Sequence, residues 1–209
     1  VPSDISLEPA QHGARGVASA RYRVGDFTGP LDVKHRLRQL PSNGTVKGMF
    51  FRRVIADAQR RAGVTLRDHP YHAFRDYRLS DWIDLLVTAG ALTYPGAPPK
   101  EGLRRLGRDM YPTFVDSMLG KVIFAAAGGD LHRALVLYPK IWSVISNHGT
   151  GAVTEMSVGR CVIQLRNVWD FVDSFQLGSL EGGFAVFGRR ATVHIETLSD
   201  CDANYEVQW

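Results

Sequence analysis

Two pairs of side chains in this sequence have the types and spacing for proton transfer. Asp130 stands two residues before His132 in GGDLHRAL, and Asp170 three before Asp173 in WDFVDSF. A carboxylate near an imidazole, or two carboxylates within reach of one substrate, is ordinary acid–base equipment. Neither pair belongs to a wider catalytic pattern. The chain contains no G-x-S-x-G, no H-E-x-x-H and no Walker loop, and charged pairs at such spacing arise constantly on helix surfaces. Glu181 is followed by Gly182 and Gly183. Those glycines read as permitting close helix packing rather than as framing a catalytic carboxylate. The expectation is a protein that is not an enzyme.

Cys161 and Cys201 form no CxxC and share no metal-like spacing with histidines. Both fall in strand-like stretches, where a disulfide is geometrically conceivable, but two free thiols are expected of a cytosolic chain. The net charge of +4 comes almost entirely from arginine. Its densest groups are Arg52, Arg53, Arg60 and Arg61, then Lys100, Arg104, Arg105 and Arg108. Each group fits the polar face of an amphipathic helix better than a nucleic-acid surface, which needs its cations gathered on one side. No nucleic-acid partner is expected.

These residues must be held by something. At 209 residues, 44% hydrophobic and 22% charged, the chain can bury one substantial core. No apolar run approaches the roughly 18 to 20 residues that span a bilayer, and VPSDISLEPAQ lacks the basic and apolar regions of a signal peptide. No membrane partner is expected, and a cytoplasmic location is. Residues 1–23 are read as a flexible tail and 24–209 as a single domain, with 24–45 as a wrapping arm containing a short helical turn at LDVKHRLRQL.

The first firm helix follows Thr45, with Phe50, Phe51, Val54, Ile55 and Ala58 at helical spacing, and Gly63 ends it. A second begins at Ser80 as N-cap. A third runs from 100 to about 127, kinked near Gly107 and Pro112. Asp130 caps a fourth, which contains Pro139. The period then changes to two after Asn147–His148–Gly149. VTEMSV and RCVIQLRNV form a hairpin around Gly159, with Cys161, Ile163 and Leu165 on one face. A fifth helix spans WDFVDSFQLGSLEGGFAVFG, and two strands close the chain through Val193, Ile195, Tyr205 and Val207. The fold class is α+β: N-terminal helices packed with a small antiparallel sheet, the C-terminal part a β-β-α-β-β unit.

Several strings carry a resemblance. PLDVKHRLRQLPSNGTVKGMFF, FRDYRLSDWIDLLVTAGALTYPG, EGLRRLGRDMYPTFVDSMLGKVIF, DFVDSFQLGSLEGGF and CDANYEVQW are similar to an uncharacterised paralogous family of Myxococcus and Stigmatella type. The match covers about residues 24–209. That family in turn resembles, more distantly, the superfamily uniting haem NO/oxygen-binding domains, four-vinyl-reductase-type ligand-binding domains and TRAPP trafficking subunits. The shared features are Lys47–Gly48, Leu106–Arg108, Leu180–Gly182 and the closing strand pair.

The resemblance implies a sensor or scaffold, and a homodimer, as many members dimerise. It implies three sites to test. A haem would take His132 as its axial ligand, with Arg166 the one surviving member of the Tyr-x-Ser-x-Arg motif, whose other positions hold Val162 and Gln164. Some relatives hold zinc through C-terminal cysteines, but here Cys201 has Asn204 and Tyr205 where a second thiol is expected, so no metal is expected. The third is an apolar cavity between helices and sheet, for which Trp142, Trp169 and Phe175 are the candidate lining residues among aromatics that also include Phe114, Tyr138, Phe171 and Phe184. The leading expectation is a non-enzymatic small-molecule-sensing or protein-interaction module without a cofactor, taking a small hydrophobic ligand. The alternatives are a haem-based gas sensor and a TRAPP-like scaffold with no ligand.

Overall fold

The computed structural model describes residues 21–66 and 69–209. Most of the expected tail, and the side chain of Phe114, lie outside the described residues. The architecture is α+β. The elements are β1 (Arg23–Val24), α1 (Val33–Gln39), β2 (Thr45–Lys47), α2 (Gly48–Ala62), β3 (Asp76–Arg78), α3 (Leu79–Thr93), α4 (Pro99–Val115), α5 (Met118–Ala127) and α6 (Leu131–Ile145). They continue with β4 (Thr150–Ser157), β5 (Arg160–Arg166), α7 (Phe175–Val186), β6 (Thr192–Thr197) and β7 (Ala203–Gln208).

The main sheet is antiparallel with strand order β1-β6-β7-β5-β4. Cys161, Ile163 and Leu165 of β5 and Ala203, Tyr205 and Val207 of β7 point to one buried face, as alternation in a strand requires. They form one core with Leu177, Leu180 and Phe184 of α7. A second core gathers Phe51, Val54, Trp82, Ile83, Leu86, Leu103, Phe171 and Phe175 around α2, α3 and α4. Burying a side chain such as Phe51, which has no exposed surface, contributes about 2 kcal/mol.

Helix α7 joins the two cores, and its contact with α4 is unusually close. A Cβ on Gly178 would lie 1.9 Å from the Arg104 carbonyl oxygen, and one on Gly182 2.2 Å from that of Arg108. Glycine is what allows two helix backbones to meet there. Glu181 beside them accepts two hydrogen bonds from Arg104 Nε at 3.1 Å and one from Nη2 at 2.6 Å, so it is held as an ion-pair partner.

Local structure departs from the sequence reading in four places. Helix α3 starts at Leu79, not at Ser80: strand β3, paired with β2, runs directly into the helix, and Leu79 N–H donates to Gly44 O at 2.9 Å. The long third helix is two helices, because Ser117 caps α5 by accepting from Gly120 N–H at 3.0 Å, while Pro112 stays inside α4. The fifth helix starts at Phe175, since Asn167 and Phe171 adopt φ of 56° and 58° in the loop before it. Arg23 and Val24, placed at the boundary of tail and arm, pair with Ile195 and His194 as an edge strand.

The basic groups are matched by acids. Arg53 and Arg60 flank Asp57, Arg61 meets Asp109 at 2.7 Å, Arg105 meets Glu101 at 2.7 Å and Lys100 meets Asp173 at 2.6 Å. Among the described residues no helix is long and apolar enough to cross a membrane.

Candidate functional site

Helix α6 turns one face toward the inside of the molecule. Asp130 starts it by accepting from Arg133 N–H at 2.8 Å. From there Leu131, Ala134, Leu135, Tyr138, Ile141, Trp142 and Ile145 follow the helical period along one face. That face, with α5, α7 and β5, surrounds a cavity of about 140 Å³ at the seam between the two cores. The helical core supplies Phe50, Trp82, Met110 and Phe175 to its wall, and the sheet core supplies Ile163, Leu180 and Phe184. Two cores that each close on themselves leave such a void where they meet.

Gly151 of β4 makes room for one wall. A Cβ there would lie 2.6 Å from Cε1 of Tyr138, so only glycine lets the tyrosine ring rest against the strand. The Tyr138 and Trp142 rings follow each other at 6.2 Å, and Trp82 meets Phe175 edge-on at 6.0 Å. Burial, then the neighbouring Tyr111 and Asp170, pushes the Tyr138 phenol well above its ordinary range. It therefore stays protonated.

Among the polar side chains of this mostly apolar wall, two carry buried atoms without a hydrogen-bond partner. His148 is 6% exposed, and neither ring nitrogen has a hydrogen-bond partner. Its backbone is fixed instead: its carbonyl accepts from Trp142 Nε1 at 3.3 Å and from Ser146 Oγ at 3.0 Å, and its N–H donates to Ser146 Oγ at 3.1 Å. Asp170 is 8% exposed; Oδ2 accepts a long bond from Trp82 Nε1 at 3.5 Å, and Oδ1 has no partner. Buried polar groups are normally paired, so these atoms mark the place where the cavity can hold something polar.

The residues singled out in the sequence are distributed unevenly around this site. Trp142 and Phe175 line the cavity. Trp169 does not: it packs against the helical core, and its carbonyl accepts from Arg36 Nη1 at 3.1 Å. His132 lies off the inward face of α6 and is exposed, with Leu131 taking the inward position in the first turn. Arg166 belongs to the opposite face of the sheet from Ile163 and Leu165, donating from Nη1 to Ala203 O at 2.8 Å and from Nη2 to Asn204 Oδ1 at 2.6 Å. Asp170 and Asp173 part company, one on the cavity and the other in the ion pair with Lys100.

Sequence reasoning passed over His148, which stood in an Asn-His-Gly string read only as the change from helix to strand. It considered Asp170 solely as half of an acid–base pair. Cys161 and Cys201 are both buried free thiols, and burial pushes the Cys161 thiol up to about 12. Among the described residues no three His, Cys, Asp or Glu side chains converge as a metal site.

This arrangement of helices and antiparallel sheet is similar in fold to solved H-NOX domains. The same fold occurs in an Fe(II) unliganded H-NOX protein from K. algicida, with 17% identity, a TM-score of 0.55, and coverage of 78% of this chain and 95% of that one. It occurs also in an oxygen-binding H-NOX domain related to soluble guanylate cyclases (16% identity, TM-score 0.54, 77% and 89% covered). A Tt H-NOX variant aligns likewise (14% identity, TM-score 0.56, 78% and 94% covered). At these identities the likeness is one of fold. Over residues 40–209 the chain belongs to the family described as protein of unknown function (DUF2378). Comparison with curated protein sequences gives no match.

Proposed function

We propose that this chain is a non-enzymatic sensing domain that takes a small, largely apolar molecule into the cavity beside α6, and does so without haem. The observation that carries the reading is a cavity with a mostly apolar wall and two buried polar side chains with unpaired atoms: both ring nitrogens of His148 and Oδ1 of Asp170. Binding sites for small molecules have this character: mostly apolar surface with a few convergent polar groups. The fold supports the small-molecule part of this reading, because one structural neighbour is an oxygen-binding H-NOX domain.

Haem itself is a poor fit to the residues present. The cavity's 140 Å³ is close to the roughly 150 Å³ that accommodates benzene and below the roughly 300–1,000 Å³ of sites for drug-sized ligands. A porphyrin is larger than benzene several times over. None of the described residues lining the cavity is Arg or Lys, which leaves haem propionates without a cation. The histidine expected as axial ligand, His132, is exposed, and Leu131 occupies the inward position.

Native mass spectrometry of gently purified protein, with an absorption spectrum of the same sample, tests the reading. A small bound organic mass without a Soret band is expected. A Soret band would overturn the haem-free reading. We propose further that the chain forms a homodimer and is akin to the myxobacterial paralogues. Exposed Met118 and Val122 on α5 and Val136 and Val144 on α6 support the dimer, and a monomeric mass at micromolar concentration would remove it.

A further inference from the structure

We infer that the ligand of this cavity is a small organic ammonium: an apolar body of about the size of a benzene ring with a protonated amine, bound through Asp170 and the aromatic wall. The inference rests on the sensing-cavity reading above and names the chemistry that the cavity selects.

Asp170 is the acidic side chain among the described lining residues, and no described lining residue is Arg or Lys. A buried carboxylate is costly unless it is paired with a cation or well supplied with hydrogen bonds. Its supply here is one long bond from the Trp82 indole at 3.5 Å to Oδ2, with Oδ1 unpaired. A ligand N–H would satisfy Oδ1, and a charged one would also neutralise the carboxylate. A ligand carboxylate or phosphate would add repulsion instead.

The remaining wall suits a cation with an apolar body. Trp82, Tyr138, Trp142 and Phe175 all line the cavity, and aromatic faces attract ammonium groups, tryptophan most strongly. The attraction is greatest when water is displaced, as in a cavity of this apolar character. His148, with both ring nitrogens unpartnered, can accept a second N–H when neutral. The aliphatic side chains, among them Leu131, Leu135, Ile163 and Leu180, then cover the body. A volume of about 140 Å³ restricts that body to a single ring or a short chain.

The test compares three single-ring probes with the full chain: benzylamine, toluene and benzoate, each followed by calorimetry and by the shift in melting temperature. They match in ring and differ in the charged group. Benzylamine is expected to bind about tenfold or more tightly than toluene, with benzoate weakest. Asp170→Asn should bring benzylamine down to the level of toluene while leaving toluene in place. Toluene binding as tightly as benzylamine, or benzoate binding best, would overturn the ammonium inference and leave the sensing cavity standing. Failure of all three to bind would overturn both. The ranking on the unaltered protein decides the matter even where Asp170→Asn does not fold.

Discussion

The backbone of Gly178 in α7 meets the carbonyl of Arg104 in α4 so closely that a Cβ would fall 1.9 Å from the oxygen. The atom it would strike is backbone, so no side chain can turn aside. Gly178→Ala must push the helices apart, at a cost of about 1–3 kcal/mol. At about 2–4 °C per kcal/mol for a chain of this size, the melting temperature should drop by several degrees. Calorimetry showing an unchanged midpoint would mean that α4 and α7 do not meet at this glycine.

Arg36 holds the loop before α7 in its unusual form. It donates from Nη1 to Trp169 O at 3.1 Å and to Asp200 O at 2.7 Å, and its guanidinium lies 4.6 Å from the Phe171 ring centre. Phe171, fully buried at φ 58°, is in a region that costs a bulky residue about 1–3 kcal/mol. Arg36→Met should therefore destabilise by about 2 kcal/mol or more, as two carbonyls lose a charged donor. Arg36→Lys should recover little of this, because a lysine lacks the planar fork. Denaturant midpoints of the two variants check both statements.

Much of this architecture was legible locally, and what was not has a common cause. Phe51, Val54 and Ala58 fix the buried side of α2, Gly63 closes it in a left-handed conformation, and Asp130 caps α6, all through residues a few positions apart. Gly159 similarly marks the β4–β5 hairpin. The later start of the last helix depends on Phe171 being held by Arg36, 135 positions away in sequence, and Arg23 becomes a strand only because β6 offers an edge. Trp142 was reachable as a cavity residue from helical period. Trp169 was not separable from it by type alone, and only the loop's path turns it toward the other core. Nothing around His148 in the sequence shows that its imidazole is left unpartnered, since that depends on what the surrounding elements fail to supply.

Alkaline pH should destabilise the fold. Burial raises the Cys161 thiol from 9.0 to about 12 and raises the Cys201 thiol as well. The unfolded chain therefore loses these protons before the folded one does. The contribution to stability is present in full below about pH 9 and is lost as pH rises through 12. Tyr138 and Tyr205, also raised by burial, act in the same direction. Urea midpoints measured at pH 8 and pH 10.5 should fall with pH, and Cys161→Ser should flatten part of that fall. A midpoint that rises over this interval would contradict the burial of these groups.

Gly151→Ala should close the cavity from the β4 side. The added Cβ would lie 2.6 Å from Tyr138 Cε1, and the ring's route of escape is into the cavity that it lines. The variant is expected to lose most of the rise in melting temperature that a saturating single-ring ligand gives. A rise equal to that of the unaltered protein would show that the ligand sits elsewhere.

The four tryptophans give the central claim its most direct test. Trp82 and Trp142 line the cavity, whereas Trp169 and Trp209 do not. Toluene titrated into ¹⁵N-labelled protein should move the indole N–H resonances of Trp82 and Trp142 saturably and leave those of Trp169 and Trp209 near their starting positions. Indoles that stay still throughout, or that all move together without saturating, would contradict a ligand cavity at this seam.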